Sequence, residues 1–139
     1  MANEHVLVYE TELPISMTVS NTTGIEQGTV LSMTDPNTAA ANTGKDSIVA
    51  GIAAYEKIAN NGQTRLAVYR GGRFKATASG SITVGDPLGT DYTGNKLYSS
   101  KATTGLSSSK IVGLSLETAT DGETFLYELR PMVLPSQTP

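Results

Sequence analysis

Three short motifs recur in the same order along this chain, and an internal repeat decides architecture before any local propensity does. Ile25-Glu26-Gln27-Gly28-Thr29-Val30-Leu31 returns as Ile82-Thr83-Val84-Gly85-Asp86-Pro87-Leu88, an offset of 57. Val49-Ala50-Gly51-Ile52 returns as Ile111-Val112-Gly113-Leu114 at 62, and Ala59-Asn60-Asn61-Gly62-Gln63-Thr64-Arg65-Leu66 returns as Ala119-Thr120-Asp121-Gly122-Glu123-Thr124-Phe125-Leu126 at 60. The drift falls where loops would absorb it. The expected organisation is an N-terminal arm (1–20), a duplicated domain (21–130, with halves at about 24–79 and 81–130) and a C-terminal tail (131–139).

The repeated unit reads as β structure. The chain has 14 Gly and 19 Thr among 139 residues, a balance that favours strands and turns over helical bundles. Period-two alternation sets Phe125, Tyr127 and Leu129 on one face and Thr124, Leu126 and Glu128 on the other, predicting a buried face and a mixed one. Strands are predicted at 6–9, 15–19, 29–33, 48–55, 64–69, 73–78, 87–90, 96–98, 111–116 and 124–129. Asn61-Gly62 and Asp121-Gly122 supply the positive φ of tight hairpin turns. Residues 35–44 and 101–109 read as exposed loops at equivalent places in the two halves. The fold class expected is all-β, a small barrel-like or sandwich-like domain built by duplication, with an extended N-terminal arm. One shared barrel and two side-by-side lobes are both compatible with it.

Composition removes several function classes. With no Cys, there is neither a disulfide framework nor a thiolate metal site. With no Trp and two Phe, a large aromatic ligand platform is not expected. The apolar run at 48–55 is far shorter than the ~20 residues of a membrane span, so no membrane partner is expected. The first ten residues lack the basic start and long apolar region of a secretory signal, so the mature chain is expected to begin near Met1, and the absence of Cys is compatible with a reducing compartment such as a bacterial cytosol. Net charge is −3, but unevenly spread: residues 57–85 hold Lys57, Arg65, Arg70, Arg73 and Lys75 and no acid. A basic strip with few interleaved aromatics on an acidic chain reads as a solvated face or a protein contact, not a nucleic-acid site.

Catalytic and metal constellations are thin. The single histidine, His5, would have to be the base of any Ser-His-Asp arrangement, and it stands alone among strand-forming residues. No metal-ligand spacing, twelve-residue calcium loop or phosphate-binding glycine motif occurs, so neither metal nor cofactor is expected. Glu56 and Glu117 occupy similar places in the two halves and could form a carboxylate pair, but such acids more often end strands at a wet edge. Arg70-Gly71-Gly72-Arg73 and Asn21-Thr22-Thr23 read as turns. No catalytic residue is assigned, and the chain is not read as an enzyme.

The ordered series Ile25 to Leu31, Val49 to Ile52, Gly62 to Thr64, Val84-Gly85-Asp86-Pro87-Leu88, Ile111-Val112-Gly113-Leu114-Ser115-Leu116-Glu117 and Asp121-Gly122-Glu123-Thr124 resembles the capsid cement, or head decoration, proteins of tailed bacteriophages. The resemblance covers roughly residues 24–130. It implies a virion protein on the outer capsid surface that stabilises contacts between major capsid subunits, often as a homotrimer, without enzyme activity. The candidate capsid or subunit interface comprises Val6, Leu7, Val8 and Tyr9 of the arm, which could pair with a sheet edge, together with Arg70, Arg73 and Lys75 of the basic strip. Two alternatives stand beside this reading. One is another virion component, such as a tail-tube or head-completion subunit; the other is a surface module that binds host glycans through Tyr92 and Tyr98.

Overall fold

The computed structural model describes residues 3–42, 48–91, 93–100 and 110–133. These form eleven strands: β1 (Val6–Tyr9), β2 (Ile15–Thr18), β3 (Val30–Asp35), β4 (Thr38–Ala41), β5 (Val49–Ala53), β6 (Arg65–Tyr69), β7 (Gly72–Thr77), β8 (Pro87–Asp91), β9 (Lys96–Ser99), β10 (Lys110–Ser115) and β11 (Thr124–Val133). A single 3-10 turn, Thr93–Asn95, precedes β9.

The duplication is visible in the hydrogen bonds. In the first half β2, β4, β3, β5 and β6 close into a barrel, sealed by a parallel pairing of Thr18 with Thr38. The second half repeats the circuit as β7, β11, β10, β8 and β9, with a parallel bridge from Ala78 to Leu97 where the first half has its seal. The N–H of Gly28 donates to Ala53 O as Gly85 donates to Ser115 O, and both glycines have φ near +90°. Ile25 pairs with Lys57 as Ile82 pairs with Ala119. β2 pairs with β6 as β7 pairs with β11, so the repeated circuit starts at β2 in one half and at β7 in the other. The halves read from sequence cut it one strand later.

Three local expectations differ from the structure. Residues 38–41, read as loop, form β4: Asn37, at φ 55°, turns the chain back on β3 in a short hairpin. The stretches 101–109, 43–47 and 134–139 lie outside the described residues. Gly62 and Gly122 do have positive φ, but each closes a longer connection, from β5 to β6 and from β10 to β11, instead of a two-residue hairpin turn. The segment 1–20 is no free arm: β1 lies antiparallel on β7, and β2 is a barrel stave.

Two cores result. Met17, Val19, Ile25, Leu31, Ala50, Ala53, Leu66 and Val68 fill the first barrel. Phe74, Leu88, Leu97, Val112, Phe125, Tyr127 and Leu129 form the core under the six-stranded sheet of the second half, joined by Val30, Val49 and Ile52 from the first half. Every residue of β5 is buried. The pairing of β3 with β5 skips Ala50, and this bulge lets Ala50 and Ala53 pack inside the barrel while Val49 and Ile52 join the core of the second half. The halves therefore lie side by side on a shared seam at β5, where β10 and β11 meet it.

Lys57 occupies the place that Ala119 holds in the other half, and it is buried. Its Nζ donates to Asn21 O (2.9 Å), Thr23 O (3.1 Å) and Ile58 O (3.2 Å), using all three ammonium protons to close the end of the first barrel. Lys57→Met keeps the apolar stem but leaves three carbonyls without that donor, and it is expected to lower stability by about 2 kcal/mol. The midpoint of urea unfolding reads this directly.

Candidate functional site

The sheet order places β1 at an edge and β7 and β11 beside it. Residues paired across antiparallel strands share a face, so the register builds two rows on the outer surface: Val6, Lys75 and Leu126 in one, Tyr9, Arg73 and Glu128 in the other. Alternation along β7 sends Phe74 and Ala76 into the core and leaves Arg73 and Lys75 outside. The Arg73 guanidinium lies 6.0 Å from the centre of the Tyr9 ring, a cation–π arrangement. Arg73 Nε is 4.0 Å from the Glu128 carboxylate, which also pairs with Arg130. Arg73 and Arg130 thus both reach the Glu128 carboxylate, and Lys75 stands exposed in the neighbouring row, beside an apolar edge.

That edge is exposed along its whole length. Val6 is 59% and Tyr9 65% exposed, with Leu7 and Val8 also open, and no charge or proline interrupts the four residues. Natural sheets usually blunt such edges, because the unpaired side of a strand invites another strand. Leu13 and Ile15 extend the exposed apolar character of the same N-terminal stretch. Of the seven residues singled out from sequence, the structure brings together Val6, Leu7, Val8, Tyr9, Arg73 and Lys75. Arg70 lies to one side of them: its Nη1 donates to Ala50 O at 2.9 Å, and it lines an adjoining cleft of about 400 Å³ with Glu12, Gly71, Glu128 and Arg130, the last two shared with the Arg73 cluster.

β1 is held by a buried polar knot that sequence reasoning missed. His5 Nε2 lies 3.1 Å from Asn95 O and Nδ1 lies 2.6 Å from the Tyr127 hydroxyl. A carbonyl only accepts, so Nε2 carries the proton and Nδ1 accepts from Tyr127. Asn95, at φ 60°, completes the knot: its Oδ1 accepts from Val30 N, and its Nδ2 donates to Asn3 O and Gly28 O. Burial lowers the His5 pKa from 6.5 to about 4, against a smaller opposing effect of the Asn95 carbonyl, and pushes the Tyr127 phenol well above 10. Nothing at the level of residue spacing marks Asn95 as a partner of His5, 90 residues away.

Glu117, Tyr98 and Asn21 make local structural contacts. Glu117 Oε1 accepts from Leu126 N at 3.0 Å, as an acid at a strand edge does. Tyr98 packs its ring over Gly89, and Tyr92 lies outside the described residues. Asn21 Oδ1 accepts from Gly62 N at 2.6 Å within a turn. Among the described residues no cluster of three or more metal-ligating side chains occurs, and no helix is long and apolar enough to cross a membrane.

Comparison with known proteins gives a consistent placement. No curated protein matches the chain. Among solved structures, the N base of head fiber gp8.5 in bacteriophage phi29 matches with a TM-score of 0.52 and 15% identity, covering 88% of this chain and 97% of that one. At that identity the likeness speaks for the fold. The phage cement protein family matches residues 9–130, a span that runs from the end of β1 through both halves to β11. The chain therefore belongs to the phage cement protein family and is a structural protein of the phage head.

Proposed function

We propose that this protein binds the major capsid protein on the outside of an assembled head, as a homotrimer, and holds neighbouring capsid subunits together. The observation that carries this reading is the outer face of β1 and β7, where an open apolar strand lies beside Arg73 and Lys75. Exposed apolar surface next to charge is what a protein contact uses: the apolar part supplies affinity, the charge steers and orients. A protein that binds only the expanded shell stabilises it by mass action, and a trimer spanning several subunits gains effective concentration from each added contact.

Cosedimentation of the purified protein with expanded heads stripped of accessory proteins tests this, with light scattering of the free protein for its mass. Saturable addition at a copy number set by capsid symmetry, a three-chain mass and greater resistance of the heads to heat are expected. Binding should weaken as salt is raised, because exposed cations are screened over about 8 Å at physiological ionic strength. Absence of binding at every salt concentration overturns the reading and turns attention to tail components.

A further inference from the structure

We propose that the His5 ring is an acid-operated latch: neutral, it fastens β1 across the junction of the two halves, and protonated, it releases that strand. His5 immediately precedes β1 and reaches both halves at once. Its backbone N–H donates to Gly28 O of the first half at 3.0 Å, while its ring holds Asn95 and Tyr127 of the second. The ring also sits edge-on to Tyr127, with centroids 5.5 Å apart. Beyond the latch, the contacts that hold β1 among the described residues are its pairing with β7 and the Tyr9–Arg73 contact, and all four of its side chains are exposed, so little apolar burial secures it.

The contacts suit the neutral ring alone. A proton added at Nδ1 meets the Tyr127 oxygen, whose own hydrogen presently points at that nitrogen, so the buried hydrogen bond must be rebuilt around a buried charge. Burial is the leading cause of the lowered His5 pKa. Tyr127 is the titratable group that touches the ring from β11, and the Thr93–Asn95 turn offers the ring a carbonyl. Glu4, Glu26 and Glu56 line, with His5, Val6 and Leu7, a cleft of about 550 Å³ on the other side.

The sign follows from linkage. A released His5 has the ordinary pKa of 6.5 and the latched one about 4, so between these values the open state takes up a proton that the closed state refuses. Latching is complete above 6.5 and weakens as pH falls. The equilibrium for opening should rise roughly a hundredfold between pH 7 and pH 4.

Amide hydrogen exchange on the full chain, expressed as protection factors, measures this opening. Amides of His5 and of the β1 strand paired with β7 should lose protection about a hundredfold on going from pH 7 to pH 4, while amides of β5 and β10 keep theirs. His5 is the only histidine, so its imidazole signal gives the midpoint without ambiguity. In His5→Gln, whose amide can donate to Asn95 and accept from Tyr127 without titrating, the loss should disappear. Equal loss in that variant assigns the effect to carboxylates and overturns the proposal, as does constant protection in the unaltered chain or loss shared by β5 and β10. Should glutamine fail to hold β1 even at pH 7, Tyr127→Phe decides: removing the hydroxyl that favours the neutral ring must move the midpoint to higher pH, and an unmoved midpoint overturns the latch. Heads are absent from this test, so its outcome is independent of the proposed capsid contact.

Discussion

Gly51→Ala is expected to destabilise the protein by about 4 kcal/mol, with Gly113→Ala costing about 3 kcal/mol. The two glycines are the same residue of the repeat, the Gly of Val49-Ala50-Gly51-Ile52 and of Ile111-Val112-Gly113-Leu114. A Cβ at Gly51 would strike the backbone oxygen of Tyr69, and one at Gly113 would strike that of Glu128, residues that themselves correspond between β6 and β11. Backbone cannot swing aside as a side-chain tip can, so the strands would have to part. Gly51 carries a second cost, because its φ of +150° disfavours any side chain. Gly62→Ala is the control. Its φ is +86° but nothing lies within 4 Å of the added methyl, so only the backbone preference is lost, about 1 kcal/mol. Urea unfolding of the three variants should order them Gly51, Gly113, Gly62 by loss of midpoint; equal, small shifts would refute the close-approach account.

The second large effect concerns binding. Tyr9→Ala combined with Arg73→Glu and Lys75→Glu removes the ring under the guanidinium and reverses the charge of the face, while every altered side chain is exposed. Loss of about 1.4 kcal/mol per subunit, a tenfold change, compounds over three linked copies to about a thousandfold weaker addition to heads. Unfolding by urea should move by less than about 1 kcal/mol, since surface substitutions seldom do more. Removing residues 1–14 outright is a poorer experiment. It strips His5 and Asn3 from the buried Asn95 and Tyr127 groups, so a loss of binding would report damage to the second half as well. Binding isotherms of the triple variant that overlay those of the unaltered protein would show that the face is not the contact.

Much of this architecture was written in residue order. The Ile-x-x-Gly and Gly-Ile or Gly-Leu phrases mark positive-φ turns and a strand-to-strand approach, constraints that only glycine meets, so they survive in both halves and can be aligned by eye. The hairpin phrase misled by one residue. Sequence aligns Leu66 with Leu126, but Leu66 and Phe125 are the inward pair, because Thr18 lies opposite Arg65 and Thr77 opposite Thr124. A slip of one residue exchanges the faces of a strand, and the matching Gly-x-Thr letters sit in connections of unequal length. Lys57 hid for a related reason: the sequence sets Ala59, not Lys57, against Ala119 and counts Lys57 in the basic strip, whereas the bridges put Lys57 in that place with three carbonyls around its ammonium.

The candidate face was partly legible. An uncharged Val-Leu-Val-Tyr run near the start announced a strand, and the block of five cations announced a basic region. Their meeting depends on β1 crossing back to β7, about 65 residues later, a pairing that local pattern does not encode. Arg70 was indistinguishable from Arg73 in sequence. It differs because it precedes β7, where the chain turns between β6 and β7 and the guanidinium reaches the Ala50 carbonyl. The His5 knot was illegible for the same reason, since its three partners come from three distant segments and two of them, Gly28 O and Asn95 O, are backbone oxygens.

The most direct measurement is a cryo-electron microscopy map of heads decorated with the purified protein. The account predicts density for the chain, barrel and sheet side by side, on the outer shell in groups of three, with the β1 and β7 face, Tyr9 and Arg73 included, seated on the major capsid protein. A map in which that face points to solvent while another surface meets the shell, or in which the protein is found away from the shell altogether, would contradict it.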